Sequence, residues 1–266
     1  MIIDIHSHAF PEKIVKRAMS SLCTASRIKP ETNGTVESLI SAMDKDGIDM
    51  AAVCNIATNP NQNENVNLFA IETKEKYASR LFPLGSLHPL YPEKEKEIKK
   101  LKNSGIRGIK IHPDYMGFSL DDPAFDEIFE LAASYDMFVI THAGFDVYSP
   151  DKVYANPDSV LRRISRSPKT KFICAHLGGN MMWKEVEEKL IGHDIYIDTS
   201  LSTSFGVSPE QVHRIIKKHD PEKILFGSDC PWASPRKTAE LIDSLPLTDD
   251  LKEKIFEKNA RTLLQI

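Results

Sequence analysis

Eight short apolar runs, separated by helix-like segments at near-constant spacing, are the feature that most constrains this chain. They cover residues 2–6, 50–55, 81–87, 108–112, 138–142, 171–176, 195–198 and 224–227. With Ile3, Val53, Leu84, Ile109, Ile140, Ile173, Ile197 and Phe226 as markers, the intervals are 50, 31, 25, 31, 33, 24 and 29 residues. After the first, each interval holds one strand and its following helix, a unit of about 30 residues. The segments between carry helical signals. Thr35 stands as an N-cap before 36–43, and Pro123 sits in the first turn of 122–132, whose apolar positions are Phe125, Ile128, Phe129 and Ala132. Segments 157–164, 182–190, 209–218 and 236–245 repeat the theme. The mixed-sign run at 93–100 reads as a solvated helix face. Eight strands alternating with helices predict a (β/α)8 TIM barrel. A doubly wound open sheet would want a glycine-rich nucleotide loop after a strand, and no run is followed by one.

The chain of 266 residues suits one domain, 1–266, of this type. The long first interval places residues 9–34 between the first strand and its helix. A loop there overhangs the C-terminal end of a barrel, so it is expected to be a cap that shapes the pocket. The four cysteines form no C-x-x-C pair, no apolar run reaches a membrane span, and the net charge is −4. These features predict a cytoplasmic protein with a small-molecule substrate and neither nucleic acid nor membrane as partner; a homo-oligomer is compatible with them.

The histidines are sorted rather than scattered. His6, His8, His88, His112, His142 and His176 fall at or just past the C-terminal end of a strand, where barrel enzymes keep their chemistry. His193, His213 and His219 fall in or beside helices and read as surface residues. In Met1 to His8, Ile3 and Ile5 alternate with Asp4, His6 and His8, so both imidazoles leave one face of a strand, close enough to share an ion. Asp229 closes the eighth strand. Histidines plus one carboxylate, with a coordination position left open, are the ligand set of catalytic zinc or a similar divalent ion.

The motifs Asp4-Ile-His6-Ser-His8, Gly108-Ile-Lys110-Ile-His112-Pro, Thr141-His142-Ala-Gly, Ala175-His176-Leu-Gly-Gly179, Gly227-Ser-Asp229-Cys-Pro-Trp and Asn259-Ala-Arg-Thr-Leu-Leu264, in that order, span almost the whole chain. The set resembles the amidohydrolase superfamily, and more narrowly its amidohydrolase-related branch that includes aminocarboxymuconate semialdehyde decarboxylase. The resemblance implies that His6, His8, His142 and Asp229 bind the metal, most simply one Zn2+. It further implies that His176 polarises a substrate oxygen or exchanges a proton. Strand phase is expected to turn Lys110, His142 and His176 inward, and Ile109, Val139 and Ile173 toward the helices.

Lys110 has two readings. Carboxylated, it would bridge two metals, as in binuclear members of the superfamily; unmodified, it would pair with Asp229, Asp4 or an anionic substrate. His112, on the same face, is a candidate second-metal or substrate residue. Phe145, Trp232 and Arg236 are candidate pocket residues. His88 reads as structural, Cys230 as a small buried hydrophobe rather than a nucleophile, and Asp4 as support for the metal site.

The chemistry expected is hydrolysis of a small lactone, amide or ester, with Asp229 as general base toward a metal-activated water. The alternative is non-oxidative decarboxylation of a small unsaturated or aromatic acid, a lyase reaction on the same ligand set. A TatD-type nuclease would want an acidic ligand after the fourth strand, where Lys110 and His112 stand. A non-catalytic metal protein would need neither an open position nor His176.

Overall fold

A computed structural model describes all residues, 1–266. The eight expected strands are present and shorter than their apolar runs: β1 (Ile3–Asp4), β2 (Met50–Cys54), β3 (Leu81–Leu84), β4 (Gly108–Ile111), β5 (Phe138–Thr141), β6 (Phe172–Cys174), β7 (Tyr196–Asp198) and β8 (Ile224–Leu225). All neighbours are parallel, in two ladders ordered β1-β2-β3 and β4-β5-β6-β7-β8. Backbone hydrogen bonds cross both seams. Gly85 N–H donates to Gly108 O (3.1 Å) and Lys110 N–H to Gly85 O (2.8 Å); Ile5 N–H donates to Phe226 O (2.9 Å) and Asp229 N–H to His6 O (2.7 Å). The chain is a TIM barrel.

Twelve helices accompany the strands: α1 (Glu12–Ser26), α2 (Val36–Asp46), α3 (Asn63–Tyr77), α4 (Lys94–Asn103), the single turn α5 (Pro113–Met116), α6 (Asp126–Ser134), α7 (Pro157–Arg166), α8 (Trp183–Lys189), α9 (Pro209–Lys218), α10 (Pro235–Ser244), α11 (Asp249–Glu253) and α12 (Asn259–Leu264). Local chemistry sets many of their starts. Thr35, Asn156, Ser208, Ser234 and Thr248 each accept a backbone N–H of the first turn with their side chains. The expected helix at 122–132 begins as a 3-10 turn, Pro123–Phe125, capped by Asp122, before α6. None of the helices is long and apolar enough to cross a membrane.

Two apolar clusters follow from the strand alternation. Ile109, Val139, Cys174 and Ile197 face helix residues such as Ile98, Ile128, Val160 and Val186. Ile140, Ile173 and Leu225 belong to a second cluster with Ala260, Leu263 and Leu264 of α12. Lateral pairing runs Lys110 to Ile140 to Ile173, so these three share one face. Ile173 is therefore turned inward, opposite to the expectation. His219 also departs from its surface reading. It is buried, with Nε2 against Ile195 O at 2.9 Å and Nδ1 accepting Gly192 N–H at 3.2 Å.

Residues 9–34 hold a helix that the sequence reading left as loop. Val15 and Met19 of α1 pack over Gly34, where φ is +85° and an added Cβ would stand 2.6 Å from Met19 Sδ. Phe10 N–H donates to Gly34 O (2.8 Å), and Glu31 N–H donates to Pro231 O (2.9 Å), which ties the segment to the loop after β8.

Candidate functional site

The sorted histidines converge at the C-terminal ends of the strands, nearly all removed from solvent. His6 and His8 follow β1, with ring centroids 5.3 Å apart. His6 Nδ1 lies 2.9 Å from Asp198 Oδ2, and its Nε2 lies 3.0 Å from Lys110 Nζ and 3.4 Å from Asp229 Oδ1. His8 Nδ1 faces the Cys54 carbonyl at 3.0 Å, and its Nε2 faces Asp229 Oδ1, also at 3.0 Å. His6, His8 and Asp229 thus form one group with metal-ligand spacing. The fourth expected ligand, His142, stands beside it in a second group with His112 and Asp146.

His142 and His112 stack with centroids 4.4 Å apart and planes 12° from parallel, and Tyr115 stacks on the other face of His112 at 3.7 Å. Asp146 Oδ2 lies 3.5 Å from His112 Nε2 and 3.8 Å from His142 Nε2. His142 Nδ1 meets His176 Nε2 at 3.0 Å, while His142 Nε2 is buried without a hydrogen-bond partner.

His176 reaches the site by a route that strand phase does not describe. The strand β6 ends at Cys174, and with Ile173 inward simple alternation would send His176 outward. The backbone instead turns through positive φ at His176 (+61°) and Leu177 (+57°), a costly conformation for side-chain-bearing residues. Asp198 Oδ1 holds the turn by accepting His176 N–H at 3.0 Å. Both ring nitrogens of His176 have protein partners, since Nδ1 lies 2.7 Å from Ser200 Oγ. The loops after β5 and β6 touch at Gly144 (φ +88°), where a Cβ would stand 2.2 Å from Asn180 N. Only glycine allows that approach.

The remaining expected residues divide. Lys110 is buried, and His6 Nε2 is its hydrogen-bond partner; it forms an ion pair with neither Asp229 nor Asp4. Asp4 instead accepts from Ser228 N–H (3.0 Å), Ser228 Oγ–H (2.5 Å) and His6 N–H (3.0 Å), bracing both ends of the closing seam. Trp232 and Phe145 are half-buried in the loops after β8 and β5. Trp232 N–H donates to Asp229 O (2.7 Å), and Phe145 exchanges backbone contacts with Asn180. Arg236 is not brought to the site. It is exposed on α10 and paired with Asp46 at the end of α2 (3.2 Å). His88 lies apart, its Nδ1 accepting Leu90 N–H at 3.2 Å.

Three residues in the cluster escaped the sequence reading: Asp198, Ser200 and Asp146. Asp198 ends β7 just as the histidines end theirs, but no metal-ligand motif surrounds it in the sequence. Asp146 sits four residues after His142, a spacing with no meaning outside a helix.

Burial sets the electrostatics. It lowers the basicity of His8, pushes His142 down to about 3 with help from the charge of His112, and holds His176 well below the ordinary range. Burial alone would raise Asp229, but the nearby positive charge, that of His6 first and those of His8 and Lys110 after it, outweighs burial and keeps the carboxyl below its usual value. Asp198 and Asp146 follow the same pattern, with His6 and His112 respectively as the dominant opposing partner. The arrangement therefore sets carboxylates held below their usual range against imidazoles, of which burial makes His8, His142 and His176 poor bases.

The chain matches the family described as amidohydrolase over residues 3–266. It belongs to the amidohydrolase family. The amidohydrolase assignment makes this a metal-dependent enzyme acting on a small molecule. No curated protein matches the chain. Solved amidohydrolase-like structures share its fold. A TIM-barrel protein from Bordetella bronchiseptica is 16% identical with TM-score 0.76, covering 99% of this chain and 98% of that one. A 2,6-dihydroxybenzoate decarboxylase from Rhizobium is 13% identical with TM-score 0.72, covering 99% and 98%. A manganese-bound 5-carboxyvanillate decarboxylase from Novosphingobium aromaticivorans is 14% identical with TM-score 0.71, covering 100% and 97%.

The donor set fits the divalent ion that this family implies. A backbone carbonyl only accepts, so His8 must carry its hydrogen on Nδ1, which leaves a lone pair on Nε2 facing the Asp229 carboxylate. His6 likewise points Nδ1–H at Asp198 and keeps a lone pair on Nε2. His142 adds an unpartnered buried Nε2. Buried lone pairs left facing one another or facing nothing are costly unless a cation joins them.

Proposed function

We propose that this amidohydrolase hydrolyses a small neutral carbonyl compound, a lactone, amide or ester, with one zinc ion held by His6, His8 and Asp229 and completed by His142. What carries the reading is the Asp229 carboxylate set against two imidazoles, with Oδ1 3.0 Å from His8 Nε2 and 3.4 Å from His6 Nε2. A zinc ion bound there would supply Lewis acidity toward a carbonyl oxygen and acidify water. Asp229, below its usual range, accepts the proton of the attacking water and returns it to the leaving group. Asp146 is a further, half-buried carboxylate beside the imidazoles, and it favours a neutral substrate over an anionic one. Residues 9–34, tied to the β8 loop through Glu31 and Pro231, would cap the pocket, with Phe145 and Trp232 lining it.

Decarboxylation of a small aromatic or unsaturated acid is the second reading. Lys110 supports it, as a buried cation 3.0 Å from His6 that a substrate carboxylate would meet, and so do solved relatives named as decarboxylases. Purified zinc-loaded protein assayed on a lactone and ester panel and on an aromatic-acid panel separates the two. Turnover of neutral esters or lactones is expected; carbon dioxide release from an acid, with no ester or lactone consumed, overturns the hydrolase reading.

A further inference from the structure

The proton positions around Asp198 settle into one pattern. Ser200 Oγ–H is its closest contact and donates to Oδ1. A hydroxyl has a single hydrogen, so with that hydrogen on Asp198 the Ser200 oxygen can only accept from His176 Nδ1, 2.7 Å away. His176 therefore carries its hydrogen on Nδ1 and offers a lone pair at Nε2. That lone pair, 3.0 Å from His142 Nδ1, requires the hydrogen of His142 to sit there, which leaves His142 Nε2 bare. This is the atom found buried and unpartnered. The other oxygen of the same carboxylate, Oδ2, takes the Nδ1 hydrogen of His6 at 2.9 Å.

We propose that Asp198 is the common positioning residue for two metal-facing histidines. It acts on His6 directly and on His142 through the chain Ser200 to His176. His176 in this arrangement is also a positioning residue, its ring spent on orienting His142 rather than on touching substrate. The assignment rests on the reading of His6 and His142 as metal-facing. Outer partners that fix the tautomer of a ligating imidazole raise its affinity for metal. One carboxylate serving both imidazoles explains why four donors (His6 Nδ1, Ser200 Oγ, Ser200 N and His176 N) converge on the wholly buried Asp198.

The test reads tautomers and zinc affinity, not turnover. In metal-free protein at neutral pH, ring-nitrogen NMR should find His6, His142 and His176 with hydrogen on Nδ1. Ser200→Ala should scramble His142 and His176; His6, whose Nδ1 also lies 3.2 Å from Ser200 Oγ, should keep its tautomer through Asp198 Oδ2 at 2.9 Å. Zinc binding should weaken by about 10- to 100-fold in chelator competition. Ser200→Thr, which keeps the hydroxyl, should restore both readouts. Asp198→Asn should disturb His6 as well as His142. A Ser200→Ala protein with an unaltered His142 tautomer and unaltered zinc affinity overturns the proposal. Wild-type protein that binds no zinc would sink the metal reading, and the metal-free tautomers would still report on the chain from Asp198 to His142.

Discussion

His8 Nε2 and Asp229 Oδ1 are two acceptors facing each other at 3.0 Å with no hydrogen to share. Asp229→Asn places an amide donor in that gap. The metal-free variant should gain about 1 kcal/mol of stability from the new hydrogen bond. Its zinc affinity should fall by at least the ~10-fold that marks loss of a lesser partner. Denaturant melts of chelated protein and chelator competition measure the two effects, which are expected to have opposite signs.

Lys110 Nζ donates to the lone pair on His6 that a metal would use. If the side chain is an unmodified ammonium beside a single ion, Lys110→Met removes a repelling charge and zinc should bind more tightly, at one ion per chain. If it is carboxylated and bridges two ions, the variant should lose metal, and intact mass of the parent should exceed that of the sequence. Mass spectrometry with elemental analysis decides between them.

The buried imidazoles make metal-free protein acid-labile. His142 has a folded value of about 3 against 6.5 when unfolded, so the unfolded chain binds the extra proton between those limits. Its contribution is complete above about pH 6.5 and is lost as pH falls toward 3, by up to roughly 1.4 kcal/mol per pH unit. Asp4 runs the other way. Burial raises it to about 6 from 3.8, so its contribution grows as pH falls through that window. Melting temperatures of chelated protein between pH 7.5 and 4 should drop, and Asp4→Asn should make the drop steeper.

Gly144→Ala should be severe. An added Cβ meets Asn180 N at 2.2 Å and also faces a positive φ of 88°, which alone costs about 1–2 kcal/mol. The loops carrying His142 and His176 would part, and a lowered denaturant midpoint should be accompanied by weaker zinc binding. Gly192→Ala, also at positive φ but with open space around it, should show only the smaller backbone cost.

Asn67 stitches α3 to the strand beside it. Its side chain accepts Ser86 N–H (2.7 Å) and donates to Ser86 O (3.0 Å), both buried. Asn67→Leu strands the Ser86 N–H, while Ser86 O keeps Asn63 Nδ2 at 2.8 Å, and should cost about 1–3 kcal/mol in equilibrium unfolding.

The same residue shows why part of the fold was hard to read. The inner face of α3 carries Asn63, Asn67 and Thr73 among its buried positions, so polar side chains sit where a helical pattern would show apolar ones. Strands β4 and β5 were legible because Ile109 and Val139 face helices while Lys110 and Ile140 face inward, a clean period of two. His142 inherits that phase. His176 does not, since a turn at positive φ places it, and no pattern of hydrophobicity encodes such a turn at a non-glycine residue. Asp198 was visible as the last residue of a strand, but its purpose depends on partners 192 residues away at His6 and two residues away at Ser200, and only folding joins them.

The closing seam joins the first strand to the eighth. Asp229 N–H donates to His6 O, Ser7 bridges Cys230, and Asp4 grips Ser228, so the candidate centre is shared between β1 and β8. A ribosome-bound chain short of residue 224 holds His6 and His8 with no carboxylate opposite and no eighth strand to fix them. An ion held by His6, His8 and Asp229 would therefore be loaded only after β8 has joined β1, and a product lacking β8 would carry a histidine pair with no carboxylate to complete the set.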